Sequence, residues 1–198
     1  MLDLETMGEK SYSAIVSIAA VPFNLETGQV SEKIFYQVID LQSCLDLNLR
    51  VTGNTVYWWM NREREAQNNI RCNDKKPIKE VLDLFGRFFS ENMADQNNAT
   101  VWGNSAKFDL GILENAYQVA RLVKPWNTWK EADVRTIVNK YGMDIKQDLK
   151  FEGIKHYAVD DCKHQIKYLC AIHNRIIRAF HALKNGQNTS NIIAKPTE

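Results

Sequence analysis

Apolar positions change their period several times along the 198-residue chain, and each change marks an element. Met1–Leu4 is a short apolar start, read as a strand. Ser13–Phe23 (SAIVSIAAVPF) is apolar and rich in β-branched residues, which favours a second strand, with Pro22 limiting its far end. Leu25–Gly28 reads as a turn, and Lys33–Asp40 (KIFYQVID) alternates as a half-buried strand does. Thr55–Arg64 is expected to be a short helix carrying Trp58 and Trp59. After Pro77, a proline tolerated in a first turn, Ile78, Val81, Leu82, Phe85, Phe88, Phe89 and Met93 keep helical spacing, giving an amphipathic helix with an aromatic-rich, core-facing side.

The second half continues the alternation of strands and helices. Ala99–Gly103 is a strand running into a turn, and Phe108, Ile112, Leu113, Ala116 and Ala120 mark the helix after it. A short strand is expected near Trp126–Lys130. Ala132–Tyr141 is a helix that Asp133 would cap. Val159, Cys162, Ile166, Leu169, His173, Ile176, Ile177 and Phe180 describe one long helix. Three strands, helices, a strand, a helix and further helices suit an α/β architecture, a mixed sheet covered by helices. Without internal repeats or a long linker, residues 1–184 are expected to form a single domain. Asn185–Glu198 is polar, contains Gly186 and Pro196, and is expected to be a mobile tail.

Composition narrows the class. With 25 Lys+Arg against 24 Asp+Glu, the chain is not one that coats nucleic acid through bulk charge, although a local patch can still grip a strand end. The four cysteines, Cys44, Cys72, Cys162 and Cys170, form no C-x-x-C pair, which argues against zinc. There is no signal peptide and no apolar run of membrane length, so a reduced cytoplasmic protein is the simplest expectation.

Three acidic elements carry the candidate chemistry. Asp3 and Glu5 are two residues apart on the first strand, so their carboxylates share a face. Two like charges held together need a cation or a proton between them, and a hard divalent ion suits oxygen ligands. Asp109 lies near the start of a helix that follows a strand, in WGNSAKFDLGILE. His156 precedes the last helix, and Asp161 lies in its first turn, in HYAVDD. Each of the last two alone is more often a helix-start acid complementing the dipole. Asp160 competes with Asp161, because both lie off the apolar face of the helix.

The ordered set Asp-x-Glu, Phe-Asp and His-x-Ala-x-x-Asp resembles the DEDDh group of ribonuclease-H-like 3′→5′ exonucleases, through Asp3, Glu5, Asp109, His156 and Asp161. WGNSAKFDLGIL, the Trp pair in TVYWW and DVRTIV are similar to a narrower family, that of mycobacterial RNase AS and the phage exonuclease A enzymes. The resemblance implies a five-stranded mixed sheet flanked by helices, often a homodimer, and two divalent cations, Mg²⁺ or Mn²⁺. Asp3, Glu5 and Asp161 would hold one cation. Asp3 would bridge to the second, with Asp109 assisting, and His156 would act as general base. Thr6 and Met7 would touch the terminal nucleotide. Trp58 and Trp59 point in different directions on a helix; one belongs to the core, and the other, for which Trp59 is the candidate, would stack on a base. Asn104 and Arg135 match the narrower family without an assignable role, although Asn104 counts among the substrate-binding candidates. Lys146, Lys150 and Lys155 approach His156 in sequence and would meet phosphates if they are more than solvated surface.

The implied activity is metal-dependent release of nucleoside 5′-monophosphates from single-stranded DNA or RNA or from 3′ overhangs, with the sugar left open and a slight lean toward DNA. The competing readings are a nucleic-acid-binding module that has kept the fold without catalysis and a proofreading subunit working with a polymerase. In the related fold the first strand begins several residues before the Asp-x-Glu pair. The native start is therefore expected upstream of Met1, or the chain to be trimmed.

Overall fold

The computed structural model describes residues 1–93 and 95–186. The strands are β1 (Leu2–Thr6), β2 (Ile15–Ala20), β3 (Phe35–Ile39), β4 (Lys75–Lys76), β5 (Val101–Gly103) and β6 (Glu131–Asp133). The helices are α1 (Leu41–Leu45), α2 (Gly53–Met60), α3 (Arg64–Ile70), α4 (Ile78–Asn92), α5 (Ala106–Ala120), α6 (Val134–Tyr141), α7 (Met143–Asp148) and α8 (Ala158–Lys184). The strands form one mixed sheet in the order β4-β3-β2-β1-β5-β6. The β1-β2 and β2-β3 pairs are antiparallel, and the other three pairs are parallel.

Two apolar layers cover the sheet. On one face, Leu2, Leu4, Ile18 and Phe35 pack with Val81, Leu82, Phe85 and Phe89 of α4 and with Leu110, Leu113 and Ala116 of α5. On the other, Met1, Ala19 and Val21 pack with Val134 and Val138 of α6 and with Val159, Cys162, Ile166 and Leu169 of α8. β2 is therefore buried on both faces, which is why its sequence is an unbroken apolar run and not an alternation. β1 does alternate. Leu2 and Leu4 enter the first layer, which leaves Asp3 and Glu5 on the face that α8 covers.

The aromatic side of α4 is core, as its spacing predicts: Phe85 is fully buried, with its ring centroid 5.4 Å from that of Phe35 and 6.3 Å from that of Trp126. Asp133 caps α6 by accepting from the Thr136 amide at 2.6 Å, also as predicted. Other boundaries differ. The sheet has six strands where five were implied, because β4 adds a two-residue parallel edge too short and too polar to show a period. The strand expected near Trp126–Lys130 lies at β6, after a 3₁₀ turn over Thr128–Lys130 that Asn127 caps by accepting from the Trp129 amide. The helix expected over Thr55–Arg64 ends at Met60, and a separate helix, α3, follows. Most of the polar tail expected over Asn185–Glu198 lies outside the described residues. Among those described, no helix is long and apolar enough to cross a membrane.

Phe85→Ala should cost about 3–5 kcal/mol of stability, the usual range for deleting a buried aromatic side chain. Denaturant unfolding checks it. A loss below 1 kcal/mol would show that the α4 interface is not the tight layer described here.

Candidate active site

The first three charged side chains meet where β1 passes under the start of α8. Asp3 and Glu5 stand opposite Ala19 and Ser17 of β2, and a bulge follows Glu5 in the ladder. Asp161 lies in the first turn of α8. One turn later, Gln165 Nε2 donates to Asp3 Oδ1 at 2.8 Å. Sequence reasoning missed Gln165. Its only signal was position: four residues after Asp161, it shares that helix face.

Asp109 arrives from the opposite layer. β5 ends at Gly103, which stands opposite Leu2, so the Leu4 amide has no strand partner on that side. Asp109 Oδ1 takes that amide at 3.3 Å, and the Asn104 backbone amide also donates to Asp109. A Cβ at Gly103 would lie 3.2 Å from both the Cβ and Oδ2 of Asp109, so the glycine lets the carboxylate sit close under the strand end. Asp109 is 3% exposed.

His156 sits in the turn before α8 with φ +65°, and its backbone N–H donates to Asp161 Oδ2 at 2.9 Å. Glu5, His156 and Asp161 each offer a ligand atom, and these atoms lie within 4.8 Å of one another. The His156 ring packs against Trp58 at a centroid distance of 4.8 Å, edge to face. The Arg62 guanidinium lies over the same indole at 4.4 Å.

No lysine or arginine forms a salt bridge with Asp3, Glu5, Asp109 or Asp161 among the described residues. Burial, and after it the neighbouring carboxylates, push Asp3 and Glu5 well above the ordinary carboxylate range. Burial likewise raises Asp109 to about 7, against the opposing effect of its backbone donors, and Asp161 to about 6. His156 moves the other way. Burial lowers its pKa, with Arg62 and Lys155 adding to the effect, so the ring is neutral at pH 7 and able to accept a proton. The donor set is all-oxygen with one imidazole alongside, close-set and without a salt-bridged lysine or arginine among the described residues. It fits hard divalent cations.

The substrate-side candidates divide. Trp59 is 4% exposed and its Nε1 donates to the Thr6 carbonyl at 3.0 Å, so it is structural and not a stacking surface. Trp58, 38% exposed, is the tryptophan that meets His156. The wheel of α2 separates the two side chains, and only the packing of β1 against that helix decides which turns inward. Thr6 is buried and its hydroxyl donates to the Gly8 carbonyl at 2.6 Å, so the hydroxyl is already engaged. Met7 is half-buried, and its side chain shares the wall of an apolar groove with Leu41, Val56 and Trp59. Asn104 is half-buried beside Asp109, and its carbonyl accepts from Arg135 Nη2 at 3.0 Å. Lys155 is within electrostatic reach of His156 and Asp161, whereas Lys146 lies over the Tyr168 ring. Asp160 turns away from the cluster and accepts from the Ile154 amide.

The sequence model of the family described as 3′-5′ exoribonuclease Rv2179c-like domain matches residues 1–173. An exodeoxyribonuclease of Enterobacteria phage T4 is 25% identical over 157 residues, which cover 69% of this chain and 68% of the phage protein. Among solved structures, cell-death related nuclease 4 (CRN-4) superposes with a TM-score of 0.61 at 18% identity; the match covers 87% of this chain, which spans only 62% of that one. The nuclease domain of 3′hExo, a DEDDh family member bound to rAMP, superposes with a TM-score of 0.54 at 15% identity, covering 93% of this chain and 90% of that domain. At these identities the structural matches establish a shared fold.

The raised carboxylates make a signed prediction. A carboxyl whose folded pKa exceeds its unfolded value binds more protons in the folded state, so stability falls as pH rises through that interval. For Asp109 the interval runs from about 4, the unfolded value, to about 7. Without divalent ions, Asp109→Asn should therefore melt above the unsubstituted chain at pH 8, by a margin that narrows as pH falls and closes only below about pH 4. The buried Met1 amine and His156 shift in the opposite sense in both chains and cancel in the comparison. Equal melting temperatures at pH 8 would mean that Asp109 carries no uncompensated charge.

Proposed function

The chain belongs to the 3′-5′ exoribonuclease Rv2179c-like domain family, and on that premise we propose that it is a metal-dependent 3′→5′ exonuclease acting on single-stranded DNA or RNA or on 3′ overhangs. The observation that carries the proposal is the convergence of Glu5, His156 and Asp161 within 4.8 Å, with half-buried Asp3 and buried Asp109 alongside and no lysine or arginine salt-bridged to any of the carboxylates among the described residues. We read residues 1–184 as the single domain that holds it.

Asp3, Glu5, Asp109 and Asp161 would hold two divalent cations, Mg²⁺ or Mn²⁺. When bound, such ions lower the pKa of a water and stabilise charge on the leaving oxygen. His156 takes the proton of the attacking water on an imidazole nitrogen. The new P–O bond forms as the bond to the 3′ oxygen of the penultimate nucleotide breaks. The leaving 3′ oxygen takes a proton from solvent, and the products are a nucleoside 5′-monophosphate and a strand shortened by one, ending in a 3′-hydroxyl. The lowered pKa of His156 keeps the accepting form populated at neutral pH. Gln165 holds Asp3 by one oxygen, which fixes the direction in which its other oxygen presents itself. Trp58 offers a half-exposed indole beside His156, a surface on which an unstacked base can lie, and the stacked Arg62 cation stands next to it for the phosphodiester backbone.

The family description names RNA, while the phage relative is named an exodeoxyribonuclease, so the test uses both sugars. Single-stranded DNA and RNA of one sequence, labelled at the 5′ end, should shorten from the 3′ end with Mg²⁺ or Mn²⁺ and stay intact in EDTA. His156→Ala should lower kcat by about 10²–10⁴-fold, the usual contribution of a positioned general base. Undiminished turnover in His156→Ala would remove the histidine from this mechanism, and no shortening of either strand would remove the exonuclease reading itself.

The tryptophans separate by readout. Trp58→Ala should lower kcat/KM by about 5–150-fold, the equivalent of one lost stack of about 1–3 kcal/mol, with little change in melting temperature. Trp59→Ala should instead cost about 3–5 kcal/mol of stability. Exchanged outcomes would reverse the assignment of the pair.

A further inference from the structure

We propose that Asp160 is a positioning residue for this reaction, a latch that sets the turn presenting His156. The inference rests on the exonuclease reading above and adds a residue to it. Residues 149–157 link α7 to α8 without regular structure, and the last residue but one, His156, holds a left-handed conformation, φ +65°. A non-glycine residue holds such a conformation only where its surroundings impose it. Two consecutive carboxylates at the start of α8 impose it here. Asp161 Oδ2 accepts from the His156 amide at 2.9 Å, and Asp160 Oδ2 accepts from the Ile154 amide, also at 2.9 Å. The two bonds fasten amides two residues apart, one on each side of Lys155.

Gly153 completes the latch. Its φ is +101°, a conformation that side chains rarely adopt, and a Cβ there would overlap the Asp160 carboxylate. The loop can close over Asp160 only because position 153 has no side chain. The amide of Asp160 in turn donates to the Tyr157 carbonyl at 2.8 Å, so the helix start and the loop share one bonded turn. Asp160 forms no salt bridge among the described residues, and its side-chain bond goes into the loop. Asp161 has to serve the carboxylate cluster as well as the His156 amide. The loop therefore depends on Asp160 for a bond that the cluster does not contest.

A helix-start acid that only complements the dipole would change melting temperature and leave turnover alone. A latch behaves differently. In the full chain with Mn²⁺, Asp160→Ala should lower kcat by about 10–100-fold, since misplacing a reacting group by about 1 Å costs on the order of 10²-fold, and should hold KM within about twofold. Asp160→Asn keeps an oxygen that accepts the Ile154 amide, and should restore kcat to within about threefold of the unsubstituted chain. Gly153→Ala should reproduce the Asp160→Ala loss, and the double variant should be no slower than either single one, because both break the same closure. Amide hydrogen exchange supplies a readout independent of turnover: protection at Ile154 and His156 should fall in Asp160→Ala and return in Asp160→Asn. Normal kcat in Asp160→Ala, or additive losses in the double variant, would overturn the latch while leaving the exonuclease reading in place. An unsubstituted chain that shortens no strand would sink that reading instead, and the exchange data would still decide whether Asp160 holds the turn.

Discussion

Four carboxylates packed close together, with no lysine or arginine salt-bridged to any of them among the described residues, are the constraint around which the rest of this molecule is arranged. A buried negative charge is costly, and neighbouring ones raise the cost further. The fold offsets this cost through the two apolar layers that cover the sheet, and protons or cations can take up the charge. The same tension supplies the chemistry. On the proposed reading, divalent ions would relieve the clustered acids, and the adjacent imidazole, its pKa lowered by burial, would serve as the base.

The geometry that creates the tension is simple. β1 has an apolar edge for one layer and an acidic edge for the other, so Leu2 and Leu4 anchor the strand while Asp3 and Glu5 are carried under α8. α8 is 27 residues long, and its length matters. The turns just after its start are fixed in the core by Cys162, Ile166 and Leu169, next to the first turn that carries Asp161. Gln165, one turn in, ties that helix directly to Asp3. Asp109 comes from the other layer and reaches the site only because β5 stops early and leaves the Leu4 amide free. Site and fold are thus coupled through a few single bonds, one from the Leu4 backbone amide to Asp109 and one from the Gln165 side chain to Asp3.

The substrate side is built differently. The carboxylates are set by strand and helix, whereas His156 and Trp58 depend on a turn and on the end of a short helix. Trp59 pins α2 to β1 through the Thr6 carbonyl, which lets Trp58 stand outward over His156 with Arg62 stacked upon it. On the proposed reading, the half set by strand and helix would hold the metal ions and the half set by turn and short helix would meet the nucleotide.

The main strands and long helices, the α/β class, the aromatic core side of α4 and the Asp133 cap were legible in the sequence, because each is announced by a local period or by residue types at short spacing, whereas Asp3, Glu5, Asp109, His156 and Asp161 stood out only as an ordered set that resembles a known family. The α2–α3 break, the two-residue β4, the placement of β6 and the role of Gln165 were not, because they depend on partners distant in the chain. The tryptophan pair shows the limit most clearly. Sequence established that two indoles on one helix must point apart, yet only the packing of β1 against that helix sent Trp59 inward and Trp58 to the site. Asp160 and Asp161 make the same point. Adjacent acids on one helix start are equivalent along the chain, and the loop that folds back over α8 gave one to the cluster and the other to the turn. Sequence by itself determined which chemical groups this protein possesses and the local period each obeys; tertiary structure decided which of them meet, because burial and hydrogen bonding are settled between segments as far apart as Asp3 and Gln165.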